Sequence, residues 1–351
     1  MSLPKQTKAW ISTSTSGRLD AFEQTTLDLP ELGPNDVLVK IHAATLNYRD
    51  IMLISGTYPF PAKSPGIRLS DGSGEIIAVG SHVKLFKVGD KVASLFNQGH
   101  QHGKITVEAA ATGLGGAVDG VATQYAVFPE TGVVNVPKGY SYEEAAALPC
   151  AAVTAWNALY GLRPLKAGES VLIQGTGGVS LFGLQFAKAA GAFVIATTSS
   201  EEKSKLLKKL GADVVINYKT TPEWGPIAKK ASPGGAGVEH VIEIGGTGTI
   251  GQSYKAIKPE GVISLIGAGG IAKGGDANDF NYMNALAHIC TLRGVFVGSK
   301  EQQEDMNRSI EANGIKPVLD KRVFKFDELK EAIQYQIDMK HIGKIVVKIS
   351  E

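Results

Sequence analysis

The residues best suited to chemistry in this chain of 351 residues lie in a glycine-rich turn, Gly175-Thr176-Gly177-Gly178-Val179-Ser180. A short apolar run, Val171-Leu172-Ile173, leads into it, and a helical pattern from Val179 to Ala190 leads out. A helix N-terminus offers unpaired N–H groups and partial positive charge, which suits a pyrophosphate. Glycine lets the backbone approach the phosphates closely. The spacing is that of a G-x-G-x-x-G fingerprint whose third glycine is replaced by Ser180, a small residue at a position that serves helix–strand packing. A glycine-rich strand–helix turn without a ligand has the same local look. The assignment to a dinucleotide therefore rests on the strand–turn–helix context and the further units behind it.

The second strand selects the coenzyme. Sites for NAD usually end this strand in Asp or Glu, which binds the ribose hydroxyls. Here Phe193-Val194-Ile195-Ala196 ends in Thr197-Thr198-Ser199-Ser200, with Lys203 one helical turn on. Small hydroxyls and a lysine suit a 2′-phosphate, which a carboxylate would repel, so NADP(H) is expected. Other uses of these residues stay open at this level. Ser199 and Glu202 have the spacing of a capping box, Lys203 could sit on a solvated face, and Glu201 could reach a ribose.

The elements that must position this turn follow from pattern. Before it, Val37–Ala43, Gly74–Gly80 and Lys91–Leu95 are short β-rich runs bounded by turn signals, and residues 97–123 look like loop. Ser141-Tyr-Glu-Glu144 has the form of a capping box, followed by an apolar helix from about Ala145 to Leu159. From there strands and helices alternate. The strands are Val171–Ile173, Phe193–Ala196, Val214–Ile216, Val241–Ile244, Val262–Ile266 and Leu292–Val297, with helices at Val179–Ala190 and Glu201–Leu210. Apolar strands separated by helices predict a parallel sheet covered on both faces, an α/β doubly wound fold. After Gly298 come polar helices and a last strand, Lys344–Ile349, expected to return to the first domain.

Composition limits the function classes. Length favours two domains. Glycine numbers 42, about 12% against a usual 7%, which fits many tight strand–helix turns. A formal charge of +2 with no Lys/Arg run argues against a nucleic-acid partner. No run of about 18 apolar residues argues for a membrane partner, and the first residues do not read as a signal peptide. Two cysteines, Cys150 and Cys290, build neither a disulfide framework nor a four-cysteine metal site. A cytoplasmic protein acting on a small-molecule substrate is expected.

Taken together, several segments resemble the medium-chain dehydrogenase/reductase superfamily, in particular its zinc-independent, quinone-oxidoreductase-like branch. They are Leu46-Asn-Tyr-Arg-Asp50, Gly56-Thr-Tyr-Pro59, Pro65-Gly-Ile-Arg-Leu-Ser-Asp-Gly-Ser-Gly-Glu75, Val88-Gly-Asp-Lys-Val92, Ala145–Trp156, the glycine turn, Leu210-Gly-Ala-Asp-Val-Val-Ile-Asn-Tyr218 and Gly343-Lys-Ile-Val346. They span nearly the whole chain in the family's order. The resemblance implies a GroES-like, β-rich catalytic domain, residues 1–148 and 299–351, around a Rossmann domain, residues 149–298. It implies a cleft between the two for hydride transfer. It also implies a coenzyme lined by residues matching Thr154, Gly175, Gly177, Gly178, Val179, Gly267, Phe296 and Lys344. Ser199, Lys203 and Tyr218 match residues that surround a 2′-phosphate, although Tyr218 is also readable as a core aromatic after a strand. A homodimer formed by pairing the last Rossmann strand, Leu292–Val297, is implied as well.

Zinc relatives hold their catalytic metal with a Cys, a His and a later Cys or Asp. This chain places Asn47 at the first position, reads Gly66-Ile67-Arg68 where those relatives have Gly-His-Glu, and matches only Cys150 at the third. One ligand cannot hold zinc, which needs about three. His100 and His102 read as a solvent-exposed pair in a polar loop. Without a metal, hydrogen-bond and proton donors must do the polarising. The resemblance points to Tyr58 as proton donor, to Tyr48 next, and to Asn47 as a hydrogen-bond partner of the nicotinamide ribose or the substrate. Arg49 and Asp50 read as a structural pair, and Arg68 as a substrate-side cation or a brace. The expected activity is NADPH-dependent reduction of α,β-unsaturated carbonyls or quinones. Two alternatives stand beside it, a zinc-lacking alcohol or carbonyl oxidoreductase and an NADPH-binding protein with little catalysis. Substrate choice would lie in residues 55–62, 95–125 and 270–290.

Overall fold

The computed structural model describes residues 3–13, 19–267 and 277–350. They fall into two compact units. One runs to Val153 and resumes at Gly298; the other is Thr154–Val297. Residues 268–276, most of them in the segment 270–290 expected to shape substrate choice, lie outside the described residues.

The first unit starts with strands β1 (Gln6–Ser12), β2 (Phe22–Asp28) and β3 (Asp36–Thr45) and helix α1 (Tyr48–Ile54). Strands β4 (Gly66–Ile67), β5 (Asp71–Val79) and β6 (Lys91–Ser94) follow. The stretch expected to be loop contains one short helix, α2 (Val107–Ala110), whose N-cap Thr106 accepts from the N–H of Ala109. Strands β7 (Tyr125–Pro129) and β8 (Val133–Asn135) lead to α3 (Tyr142–Ala146). There Ser141 Oγ accepts from Glu144 N and Glu144 answers to Ser141 N, the expected capping box.

The single helix expected from Ala145 to Leu159 is instead three pieces. After α3 the chain widens into a π-type segment over Leu148–Ala152 before α4 (Val153–Tyr160) resumes. Pro149 lies inside the widened turn. It has no N–H to give the preceding turn, and its ring crowds a carbonyl four residues back, so an unbroken α-helix is disfavoured there.

The second unit is a six-stranded parallel sheet. In chain order it consists of β9 (Ser170–Gln174), α5 (Gly178–Ala189), β10 (Phe193–Thr198), α6 (Glu201–Lys209), β11 (Val214–Asn217), α7 (Trp224–Ala231), β12 (Val238–Glu243), α8 (Ile250–Ala256), β13 (Ile257–Leu265), α9 (Tyr282–Ala287) and β14 (Thr291–Gly294). The spatial order is β11-β10-β9-β12-β13-β14, the Rossmann order, which reverses between β9 and β12. Every residue of β9 is buried, as expected of a strand covered on both faces. Strand β14 is shorter than the pattern suggested and ends at Gly294, after which Val295 N bonds to Leu265 O.

The chain then returns to the first unit through α10 (Lys300–Asn313), β15 (Leu319–Lys325), α11 (Leu329–Ile337) and β16 (Lys344–Lys348). Strand β16 pairs antiparallel with β3, opposing Val346 to Thr45. It completes the sheet β15-β16-β3-β5-β6-β8, against which β7 also pairs through β3. Its side chains Ile345 and Val347 join Val39, Ile41 and Phe324 in the core of this unit. That pairing brings residue 344 to the end of β3, where residues 45–47 lead into α1.

Candidate active site

In the second unit the glycine turn lies at the carboxyl end of β9, beside the point where the strand order reverses. That is where open α/β sheets bind their ligands. Gly175 has φ of 73°. Gly177 is the N-cap of α5, and no side chain caps that helix. The first N–H groups of α5 are thus left for a ligand. A Cβ on Gly177 would meet nothing within 4 Å and would fill the space a phosphate needs. The residues present therefore fit a dinucleotide. Ser180 is fully buried and donates to Gln174 O at 2.6 Å. The close helix–strand contact expected at its position falls three residues later. A Cβ on Gly183 would lie 2.4 Å from Ile242 Cδ1 on β12.

The end of β10 carries unused hydroxyls. Thr198 Oγ1 is buried without a partner. The cap of α6 is Ser200, whose side chain accepts from Lys203 N at 3.3 Å, so the capping role considered for Ser199 is taken by its neighbour. The side chains of Ser199 and Lys203 form no hydrogen bond or ion pair with the described residues. Tyr218 follows β11 and donates its N–H to Thr198 O, which sets it beside the end of β10. Its ring is 41% exposed, so it is not a core aromatic. Glu201 and Glu202 are exposed. Gly267 hydrogen-bonds to Glu243 O at the end of β12. Thr154 is buried near the start of α4, and Phe296 lies in the segment between β14 and the next helix.

Two buried side chains that the sequence pattern did not single out tie this region together. Glu243, at the end of β12, accepts from Gln174 Nε2 at 2.7 Å, from Gly245 N and Gly246 N, and from the hydroxyls of Thr249 and Ser253. Gln174 Oε1 accepts in turn from Ile244 N at 3.1 Å. The two loops flanking the switch point are thus locked to each other. The available signal was a carboxylate inside the apolar run Val241–Ile244, a group that has to find donors.

In the first unit the structure gathers Asn47, Ser70, Asp71 and Lys344. Lys344 is buried, and its ammonium donates to Leu46 O at 2.8 Å, Asn47 Oδ1 at 2.6 Å and Asp71 Oδ2 at 3.1 Å, which uses all three of its protons. Ser70 donates to Asp71 Oδ1 at 2.7 Å, and Asn47 Nδ2 lies 3.4 Å from Ser70 Oγ. The residues brought to Asn47 from the segment after Pro65 are therefore Ser70 and Asp71, three positions beyond the pair compared with Gly-His-Glu. Ile67 instead pairs with Ile11 of β1. Leu69, with φ of 67°, turns the chain between the two sets. Arg68 is fully buried, with Nη1 3.4 Å from Gly115 O and its Nε and Nη2 unpartnered.

Asn47 is the N-cap residue of α1, and its side-chain oxygen accepts from Lys344 Nζ. Asp50 Oδ2 accepts from Asn47 N at 2.7 Å, while Oδ1 is buried without a hydrogen bond, 4.0 Å from Arg49. Burial pushes the Asp50 carboxyl up to about 6, against the weaker opposing pull of Arg49. Arg49 donates to Leu114 O at 2.8 Å, lies over the Tyr58 ring and places its Nε 3.4 Å from Tyr58 Oη. Tyr48 is half-buried in the first turn of α1. Burial pushes the Cys150 thiol up to about 12, so it is a neutral group. His100 is buried, its Nε2 bonded to Gly103 O, rather than exposed; His102 is exposed.

Residues 33–138 match the alcohol dehydrogenase GroES-like domain family and residues 178–312 the zinc-binding dehydrogenase family. A zinc-type alcohol dehydrogenase-like protein of Schizosaccharomyces pombe is 46% identical over 94% of this chain and 96% of its own length. The chain belongs to the medium-chain dehydrogenase/reductase superfamily. It is an oxidoreductase-family protein with a GroES-like and a Rossmann-type part. Acryloyl-coenzyme A reductase of Sulfurisphaera tokodaii is 32% identical over 91% of this chain and 94% of its own. Among solved structures, an NAD-dependent alcohol dehydrogenase superposes with a TM-score of 0.85 at 30% identity, covering 98% of this chain and all of the other. A crotonyl-CoA carboxylase/reductase in complex with NADP superposes at 0.81 and 26% identity, covering 99% and 96%.

The family's zinc does not suit these residues. Among the described residues no group of three or more His, Cys, Asp or Glu is arranged to hold a metal. The oxygen of Asn47 and the carboxylate of Asp71 already face an ammonium, which would repel a dication.

Proposed function

We propose that this protein is a zinc-independent, NADPH-dependent reductase of activated carbon–carbon double bonds, in α,β-unsaturated carbonyl compounds or quinones. The observation that carries this reading is the buried Lys344 ammonium bonded to Asn47 and Asp71. With a fixed cation there in place of a metal, only hydrogen-bond and proton donors remain to help the acceptor. Such donors suffice for an enolate, whose charge is delocalised. An alkoxide formed from a saturated ketone is more basic and needs a metal or a strong acid. A bound nicotinamide supplies the hydride. Ser199, Lys203 and Tyr218 favour the 2′-phosphate of NADP(H), since no carboxylate stands at the end of β10. The N–H groups at Gly177, Gly178 and Val179 suit the pyrophosphate. Tyr58 is the candidate proton donor, and the Arg49 guanidinium beside its oxygen suits a phenol that gives up a proton. Strand β14 ends the sheet with one unpaired edge, which a second copy of the chain could extend into a homodimer.

The test is coenzyme consumption against a panel of enones, quinones, enoyl thioesters and saturated aldehydes and ketones, with NADPH and NADH in parallel. Turnover of enones or quinones with NADPH is expected in protein that metal analysis shows to be zinc-free. Preference for saturated carbonyls, a requirement for stoichiometric zinc, or preference for NADH would each defeat the corresponding part of the proposal.

A further inference from the structure

We infer that Asn47 is a catalytic hydrogen-bond donor to the substrate oxygen that gains negative charge, and that the Asp71–Lys344 pair orients and polarises it; this rests on the reduction chemistry proposed above. The direction of the Asn47 carboxamide follows from its partners. An ammonium can only donate, so the atom 2.6 Å from Lys344 Nζ must be the amide oxygen. The amide nitrogen therefore points the other way. One of its N–H groups approaches Ser70 Oγ at 3.4 Å, and the other has no acceptor among the described residues. Ser70 spends its own proton on Asp71 Oδ1, so it can only accept from Asn47.

An amide whose oxygen accepts from a buried cation is a stronger donor at its nitrogen, because linked hydrogen bonds polarise one another and the low dielectric magnifies the effect. Lys344 cannot serve the substrate itself, since its three protons are in use. Asp71 offsets the charge of this buried ammonium at 3.1 Å. An asparagine at a helix N-cap ordinarily turns its oxygen to the first turn of that helix, whereas this oxygen takes a 2.6 Å bond from an ammonium on another strand. A bound reduced nicotinamide would supply a hydride to the β-carbon. The π pair displaced by it would pass to the carbonyl oxygen, which as an enolate would face the Asn47 N–H, and a proton from Tyr58 would complete the α-carbon.

Two readouts test this. In steady-state kinetics with an enone, Asn47→Ala is expected to lower kcat by about 10²-fold, the scale of one lost oxyanion donor, with the KM for NADPH nearly unchanged. The double variant Asp71→Asn/Lys344→Met removes the charged pair without leaving either charge alone. It is expected to lower kcat by about tenfold, the loss of one charge-assisted bond. The second readout needs no turnover. A nitrophenol, whose phenolate mimics an enolate, is titrated by absorbance in the protein loaded with NADP⁺. Wild type should bind it as the phenolate below its ordinary pKa. Asn47→Ala should abolish that preference, and the double variant should weaken it. Wild-type protein that takes up no phenolate, or an Asn47→Ala variant that keeps the preference, would overturn the inference. So would an Asn47→Ala variant that only raises the KM for NADPH, since Asn47 would then serve the coenzyme ribose. Absence of turnover with every acceptor while the phenolate preference persists would count against the proposed reaction and not against the donor.

Discussion

Asp71 and Glu243 are both fully buried carboxylates at the end of a strand, and the two units compensate them in opposite ways. Glu243 is held by neutral donors only, five of them, all from its own unit and most within ten residues of it. Asp71 is neutralised by an ammonium 273 residues away in the chain. The first arrangement ties two loops together and leaves the local charge negative. The second makes a net-neutral pair whose cation has bonds to spare for Asn47. A carboxylate satisfied by dipoles is a fastener, whereas one satisfied by a cation can direct a neighbour's polarity. Asp50 is a third case, buried with one oxygen unpaired, and it shows what incomplete compensation does.

The contrast can be broken most forcefully at Lys344. Lys344→Met leaves Asp71 buried and alone and is expected to cost about 3–5 kcal/mol in urea unfolding, most of which Asp71→Asn in the same chain should restore. Failure of the second substitution to restore stability would mean that the pair is not the unit described here. Asp50 comes next, and its effect depends on pH. Its folded-state value, about 6, is raised above the ordinary 3.8, so the folded chain keeps this proton while the unfolded chain loses it. Its contribution favours folding at low pH and is lost as pH rises through about 6. Asp50→Asn should therefore stabilise the protein by roughly 3 kcal/mol at pH 8, from about two units at 1.36 kcal/mol each. The gain should shrink toward zero near pH 4. A gain independent of pH would show that burial of the charge is not its cause.

Smaller effects are expected where neutral donors share the work. Glu243→Gln replaces one accepting oxygen with an amine that faces donors, at a cost of about 1.5–3 kcal/mol. Nucleotide binding should weaken with it, measured by the quenching of protein fluorescence. Ser253→Ala removes a single donor and should cost about 1 kcal/mol. A Ser253 effect as large as that of Lys344 would erase the distinction between the two kinds of compensation.

The Rossmann unit was largely legible in the sequence because its signals are local. Apolar runs such as Val171–Ile173 and Phe193–Ala196 can only be strands buried on both faces, and glycines 175, 177 and 178 mark the turn between β9 and α5. Helices α7 and α8 were not distinguished, since their apolar residues are few and interrupted by Gly225, Pro226 and Gly251. The break at Pro149 had a visible cause that the apolar pattern around it concealed. The capping role left open for Ser199 falls to its neighbour Ser200, because the two are chemically the same and only backbone direction separates them. The comparison at Gly66-Ile67-Arg68 erred by three residues for a similar reason. Nothing in the residue types shows that Leu69 takes a left-handed turn and delivers Ser70 and Asp71 to Asn47.

By itself the sequence determined the parallel sheet, the glycine turn at its centre and the carboxylate-free end of the second strand, whereas the place of Asn47 at a metal-ligand position is what the resemblance to zinc relatives implies. Each of the first three depends on neighbours within about ten residues, where spacing dictates geometry. Only the tertiary structure decided what Asn47 does with its two ends. The ammonium that takes its oxygen arrives on β16, through pairing of that strand with β3. That pairing depends on the whole unit closing its sheet, and no local pattern around Asn47 or Lys344 encodes it.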